Sequence, residues 1–333
     1  MVDIDLNAPA PSGASKRASQ ETAHDPDLIY DVIIIGGGPA GLTAGIYAGR
    51  ASLKALLLTG TMAGGQVATT DLVENYPGFP EGINGAKLAQ RIRRQSERFV
   101  HTMVSDFITG VDFFERPFRV QADGTVYRGR SVIIATGAYP RRLGVPGEKE
   151  FFGRGVSTCA TCDGFFYKDK RVVVVGGGDS AIDEGLFLTK FAREVVVIHR
   201  RDELRATKMF QERAFANPKM SFVWDTVVEE IVGEDTVTGV KVRNVKTGET
   251  SRISADGVFV YIGTVPVTRW FEGQLELDNQ GYIITDDRQR TSRSGVFAAG
   301  DVQSPDFRQI VIAAGAGAKA VIEADRFLAD GQV

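Results

Sequence analysis

Residues 29–58 read IYDVIIIGGGPAGLTAGIYAGRASLKALLL, and their pattern decides the fold. Val32 to Ile35 is an unbroken β-branched apolar run, the mark of a strand buried on both faces. A cluster of glycines interrupts it, apolar residues then recur at helical spacing, and a second apolar run closes the stretch. Strand, tight turn, helix and strand make a βαβ unit with parallel strands. Gly36, Gly38 and Gly41 stand at the turn in GxGxxG spacing, with Pro39 and Ala40 between. The first glycine permits the turn, the second lets the backbone approach a pyrophosphate, and the third lets helix and strand pack closely. The helix N-terminus supplies N–H groups to the anion.

The same pattern returns at residues 170–201, KRVVVVGGGDSAIDEGLFLTKFAREVVVIHRR, where Gly176, Gly178 and Ala181 form the small-residue variant of the fingerprint. An internal repeat of this kind means two nucleotide-binding units. Between them, residues 126–148 carry a buried strand into Ala135-Thr136-Gly137 and a link punctuated by Pro and Gly. After the second unit come an apolar strand at 256–268, the run SGVFAAGDVQ at 294–303, and a final helix over roughly 309 to 328. The expected class is therefore α/β with two Rossmann-like units, the second inserted in the first. The boundaries read as an extension at 1–28, a first domain at 29–139 and 268–333, and an inserted domain at 142–265.

The chain has 333 residues, 43% of them hydrophobic and 24% charged, ordinary values for a globular protein of two domains. A net charge of -3 leaves no surplus to neutralise phosphates, which argues against nucleic acid. No apolar run is long enough for a bilayer and the start lacks an apolar signal region, so no membrane and a cytoplasmic location are expected. Residues 1–28 are rich in Ala, Ser, Pro and Asp without periodicity and read as disordered.

Each unit carries its own cofactor signal. Asp301 ends an apolar strand, where a carboxylate can accept hydrogen bonds from sugar or ribitol hydroxyls. With the first glycine turn and Ala135-Thr136-Gly137 it makes the first unit a site for FAD. Thr59 stands where an acidic residue would usually hold ribose hydroxyls, so that contact must come from elsewhere. In the second unit Arg200, Arg201 and then Arg205 replace the acid, which suits a 2'-phosphate and hence NADPH.

The only two cysteines, Cys159 and Cys162, lie in CATC just ahead of the second unit. Zinc needs four ligands, and the chain adds only three histidines, one of them His24 in the extension and another His199 beside the arginines. A staple closing so short a loop in a reducing compartment would add little stability. A redox dithiol fits best, because CxxC closes a readily exchanged disulfide. Asp163 follows directly and either exchanges the protons that sulfur chemistry requires or caps a turn.

These motifs, GGGPAG, GGQ, VENYPGFP, ATGA, CATCDGFFY, GGGDSA, HRRDELRA and FAAGDV with a following RQ, resemble in order those of the low-molecular-mass, bacterial-type NADPH thioredoxin reductases. The resemblance spans nearly everything from Tyr30 to Leu328. It implies FAD held by Gly36, Gly38, Pro39, Ala40, Gly41, Gly65, Gln66, Asn75, Ala135, Thr136, Gly137, Gly300, Asp301, Arg308 and Gln309. It implies NADPH held by Gly176, Gly178, Asp179, Ser180, Ala181, His199, Arg200, Arg201 and Arg205. Catalysis would fall to Cys159, Cys162 and Asp163, and Arg154, Phe165 and Phe166 would touch thioredoxin. A homodimer, with rotation of the inserted domain during turnover, is implied as well. The chain departs from the family pattern at Thr264, Val267, Phe307 and Asp183. A dithiol oxidase would not need the arginines, a peroxidase-system reductase would carry extra domains before Tyr30, and a nucleotide sensor would leave CATC without a task.

Overall fold

The computed structural model describes residues 28–60, 64–70 and 72–331; the extension read over 1–28 lies, but for its last residue, outside them. Its first sheet is built from β1 (Ile29–Ile35), β2 (Ala55–Leu58), β3 (Thr102–Val104), β4 (Ile108–Asp112), β5 (Phe118–Ala122) and β6 (Thr125–Ile134). They run in the order β3-β2-β1-β6-β5-β4. The β1, β2, β3 and β6 pairings are parallel, whereas β4 and β5 form an antiparallel flank. Val32, Ile33 and Ile34 are wholly buried, because α1 (Pro39–Arg50) and the C-terminal helix cover one face while the chain after the second sheet covers the other. α2 (Gly85–Glu97) adds to the first layer, its Asn84 N-cap accepting from Lys87 N.

A second sheet follows the first crossing. It comprises β8 (Val156–Ser157), β9 (Arg171–Val175), β10 (Glu194–Ile198), β11 (Met220–Val223) and β15 (Gly257–Val260), ordered β11-β10-β9-β15-β8 and entirely parallel. α4 (Asp179–Leu188) and α5 (Lys208–Phe215) cover one face. The antiparallel meander of β12 (Thr226–Gly233), β13 (Val237–Asn244) and β14 (Thr250–Ser254) covers the other. A single turn, α3 (Ala160–Asp163), carries the end of CATC.

The chain then returns to the first sheet. β17 (Val296–Ala298) pairs in parallel with Val132–Ile134 of β6, and α6 (Ile310–Ala329) packs on α1 so closely that a Cβ on Gly317 would stand 2.1 Å from the Ala40 carbonyl oxygen. The second unit is thus an insertion. The two crossings pair with each other: β7 (Ala138–Pro140) and β16 (Thr264–Pro266) form an antiparallel ribbon, Thr264 opposite Pro140 and Pro266 opposite Ala138. Among the described residues no helix is long and apolar enough to cross a membrane.

Candidate functional site

The strand ends of the first sheet open on a continuous cleft of about 1990 Å³ that reaches the CATC loop of the inserted unit. Ligand pockets usually run to about 1,000 Å³ at most, so the space suits an extended dinucleotide. Gly36 turns at φ +129°, where a Cβ would stand 2.1 Å from the Ala135 oxygen, and a Cβ on Gly41 would stand 1.8 Å from Gly36 O. The turn is therefore closed by packing on two sides. On Gly38 a Cβ would meet nothing within 4 Å, and Gly38 caps α1 with no side chain. That open face, beside an uncapped helix N-terminus, is the shape of an anion cradle.

Pro39, Ala40, Ala135, Thr136 and Gly137 line the same cleft, with Gln66, Asn75, Arg308 and Gln309 across it. Gly65 lies against Gly38, and Gly300 against Ala40. The Gln66 amide donates to Ala138 O. Thr59 is buried with its hydroxyl donating to Gly60 O at 2.9 Å, which accounts for its place at the strand end without any ligand. Asp301 lines the cleft and makes no hydrogen bond to a described residue. Burial pushes its carboxyl up to about 6 against the pull of Arg308.

Cys159 and Cys162 are joined as a disulfide, 2.13 Å between sulfurs, and both line the cleft. Ser157 fixes the loop: its Oγ accepts from Cys159 N at 3.0 Å and donates to Asp163 Oδ2 at 2.5 Å. Burial raises the Asp163 pKa, and the Ser157 bond partly offsets it. From α4, Glu184 accepts from Ala160 N at 3.1 Å and from the Tyr261 hydroxyl at 3.4 Å. Burial lifts the Glu184 carboxyl too, while Arg308 of the other unit opposes the shift. Ser157, Thr161, Glu184 and Tyr261 escaped the sequence reading. Only Thr161 had a local signal, its place between the cysteines.

The second glycine turn lies beyond the cleft lining except for Asp179 and Ser180. Gly176 packs against Tyr261 O and Ala181. Arg205 N donates to Gly177 O at 2.7 Å, and Asp179 Oδ1 accepts from Thr207 N at 2.7 Å, so the arginine loop is tied back to the turn. Above Gly178, itself the uncapped start of α4, the nearest atom to a Cβ would be Arg205 Nη2 at 4.0 Å. His199 is buried beneath the turn, its ring 2.4 Å from where a Gly177 Cβ would be, and its Nε2 has no hydrogen-bond partner among the described residues. Burial lowers its pKa, as do the charges of Arg205, Arg201 and Arg200 in turn. Phe165 is 61% exposed outside the cleft, while Phe166, 41% exposed, and Arg154, which donates to Glu150 O at 2.8 Å, line it.

The departures have places as well. Thr264 hydrogen-bonds the buried Tyr282 hydroxyl, Val267 O accepts from Thr136 Oγ1 at 2.7 Å, Asp183 lines the cleft, and Phe307 is 70% exposed.

Two Rossmann-like units, a glycine cradle and a disulfide in one cleft define a flavin- and nicotinamide-linked disulfide oxidoreductase. The family model for pyridine nucleotide-disulphide oxidoreductases matches residues 30–317. A thioredoxin reductase of Rickettsia bellii is 53% identical over 302 residues, 89% of this chain and 97% of that protein. The Streptococcus pyogenes thioredoxin reductase structure superposes with a TM-score of 0.86 at 46% identity, covering 91% of this chain and 99% of that one. For the Lactococcus lactis enzyme, in its FR conformation, the TM-score is 0.62 at 44% identity, with 90% and 99% covered. The chain belongs to the thioredoxin reductase family, within the pyridine nucleotide-disulphide oxidoreductases. FAD and NAD(P)H are the cofactors that membership entails. The open face of Gly38 and the Asp301 carboxylate without a hydrogen-bond partner among the described residues fit the first of these, and Arg205 over Gly178 at the uncapped start of α4 fits the second.

Proposed function

We propose that this chain is a cytoplasmic, homodimeric thioredoxin-disulfide reductase that carries electrons from NADPH through FAD to the Cys159–Cys162 disulfide and on to thioredoxin. One observation carries the reading: the disulfide opens into the cleft that holds the first glycine cradle and Asp301. When bound, FAD supplies the exchange between two-electron hydride chemistry and sulfur. The first glycine turn, helped by Gly65, Gln66, Asn75 and Gly300, would hold its phosphates and ring. Asp301 would accept from its hydroxyls, and Arg308 and Gln309 would close the cleft over it. Gly176, Gly178, Ser180 and Ala181 would receive the NADPH pyrophosphate. Arg200, Arg201 and Arg205 would clamp the 2'-phosphate, with His199 packing beneath.

Asp163, adjacent to Cys162 and hydrogen-bonded in a buried setting that raises its pKa, is placed to give and take the sulfur protons. Arg154, Phe165 and Phe166 form the surface that meets thioredoxin. The disulfide and the NADPH turn belong to one unit and the flavin cradle to the other, so both reach one ring only if the inserted unit, 142–265, turns against 29–139 and 268–333. The gap between TM-scores of 0.86 and 0.62 at nearly equal identity supports two arrangements in the family. The test is NADPH oxidation by the FAD-loaded protein with and without thioredoxin, repeated on Cys162→Ser. Oxidation should require thioredoxin and vanish in the variant; a rate indifferent to thioredoxin refutes the reading.

A further inference from the structure

A directed chain of hydrogen bonds joins the two units at the disulfide. Asn75 Nδ2 donates to Gln309 Oε1 at 3.1 Å, which turns the other end of that amide outward. Gln309 Nε2 then donates to Thr161 Oγ1, also at 3.1 Å. With its oxygen accepting there, the Thr161 hydroxyl keeps its hydrogen for Cys159 Sγ at 3.3 Å. A disulfide sulfur carries no hydrogen, so the hydroxyl must be the donor. Every bond runs toward sulfur, and each donor polarises the next.

We propose that Thr161 is a positioning residue that holds Cys159 Sγ as the thiolate while the two units are closed and withdraws that support when they part. This rests on the reading of the disulfide as the redox centre. Its reduction takes two electrons from reduced flavin and one proton, breaks the Sγ–Sγ bond, and leaves one thiol and one thiolate. A hydroxyl aimed at Sγ favours the thiolate on Cys159, since hydrogen bonds to charged groups are the strong ones. Asn75 and Gln309 belong to the first unit and Thr161 to the second. Rotation therefore breaks the relay at the Gln309 to Thr161 bond, and a thiolate stripped of its oriented donor is the better nucleophile toward a partner disulfide. The ionisable groups around the pair are Asp163 on α3, Glu184 on α4, Tyr261 after β15 and Arg308 before α6. None is altered below, so their influence cancels.

The test uses the FAD-loaded chain carrying Cys162→Ser, in which Cys159 is the sole cysteine, and follows iodoacetamide alkylation against pH. Thr161→Val should raise the Cys159 pKa by about one unit, an alkylation rate about tenfold lower on the acid side. Thr161→Ser should restore the parent profile. Gln309→Ala, which keeps the hydroxyl but frees its orientation, should fall between. Superposed Thr161→Val and parent profiles would overturn the role of Thr161, as would Thr161→Ser behaving like Thr161→Val. A Gln309→Ala profile equal to the parent's would overturn the link to the other unit. Alkylation needs no turnover, so a chain that fails to reduce thioredoxin sinks the functional reading and leaves this result legible.

Discussion

Asp301 is desolvated at the end of β17 without a hydrogen-bond donor, which makes it a liability in the flavin-free chain. Burial lifts its carboxyl from 3.8 to about 6 against the opposing charge of Arg308. A folded pKa above the unfolded one means that the folded state binds the proton more tightly. Stability from this group is then fully present below about 3.8 and is lost as pH rises through about 6. The shift amounts to about 3 kcal/mol at neutral pH, at about 1.36 kcal/mol per unit. About 1.4 kcal/mol of the loss falls between roughly pH 5 and pH 7.5.

Asp301→Asn keeps the shape and removes the charge. The flavin-free variant should gain up to about 3 kcal/mol at neutral pH and lose this part of the pH dependence, while FAD affinity falls about tenfold or more with the charge-assisted acceptor. The assay is urea unfolding at the two pH values in a Trp224→Phe background. Trp270, packed against the first sheet's core, is then the only tryptophan and reports that sheet alone. Groups common to both chains cancel in the comparison. Equal pH dependence with and without the substitution would show that Asp301 titrates normally and refute the desolvation argument.

Replacing Arg200 and Arg201 together with Ala should reduce the preference for NADPH over NADH about a hundredfold, the equivalent of about 2.7 kcal/mol, chiefly by weakening NADPH. Paired Kd measurements on the oxidised enzyme check this; a retained preference removes both arginines from the phosphate site. Asp163→Asn should slow thioredoxin reduction by roughly 100 to 10,000-fold without abolishing it, because water substitutes in part for a general acid. An unchanged rate across pH would leave Asp163 as the acceptor for Ser157 and nothing more.

The glycine spacing announced both units because a Cβ would stand 2.1 Å from a carbonyl oxygen at Gly36, φ +129°, and 2.3 Å from one at Gly176, φ +148°, which strongly favours glycine at each turn. CATC likewise announced its chemistry, since it holds the chain's only two cysteines. What the sequence hid are contacts between distant segments. Glu184 reaches Ala160 across 24 positions and Gln309 reaches Thr161 across 148, and no local period encodes either. His199, just past β10, is buried with its ring 2.4 Å from where a Gly177 Cβ would stand, another contact between separate segments that no local period encodes. Thr264 gave no hint in sequence of its bond to Tyr282, because Tyr282 belongs to the unit on the far side of the crossing.

The way the two units are joined would let such a protein be stable and still turn. Of the four apolar clusters among the described residues, two belong wholly to the first unit and two wholly to the inserted one; none draws side chains from both. Folding therefore depends on no apolar surface at the boundary, and parting the units exposes no core. Among the described residues, what crosses the boundary includes the β7–β16 ribbon, the Thr264 to Tyr282 and Gln309 to Thr161 bonds, and the field of Arg308 on Glu184 and Tyr261. Water can replace polar contacts of that kind at a net cost of about 0.5 to 1.5 kcal/mol each. The ribbon is the exception: its crossings are stitched by Arg141 N to Gly263 O at 2.9 Å and Val267 N to Gly137 O at 3.0 Å, so the two strands move together or not at all. A rotation confined to that ribbon breaks a few weak bonds and no hydrophobic core, which is the condition for reaching a second arrangement on the time scale of turnover.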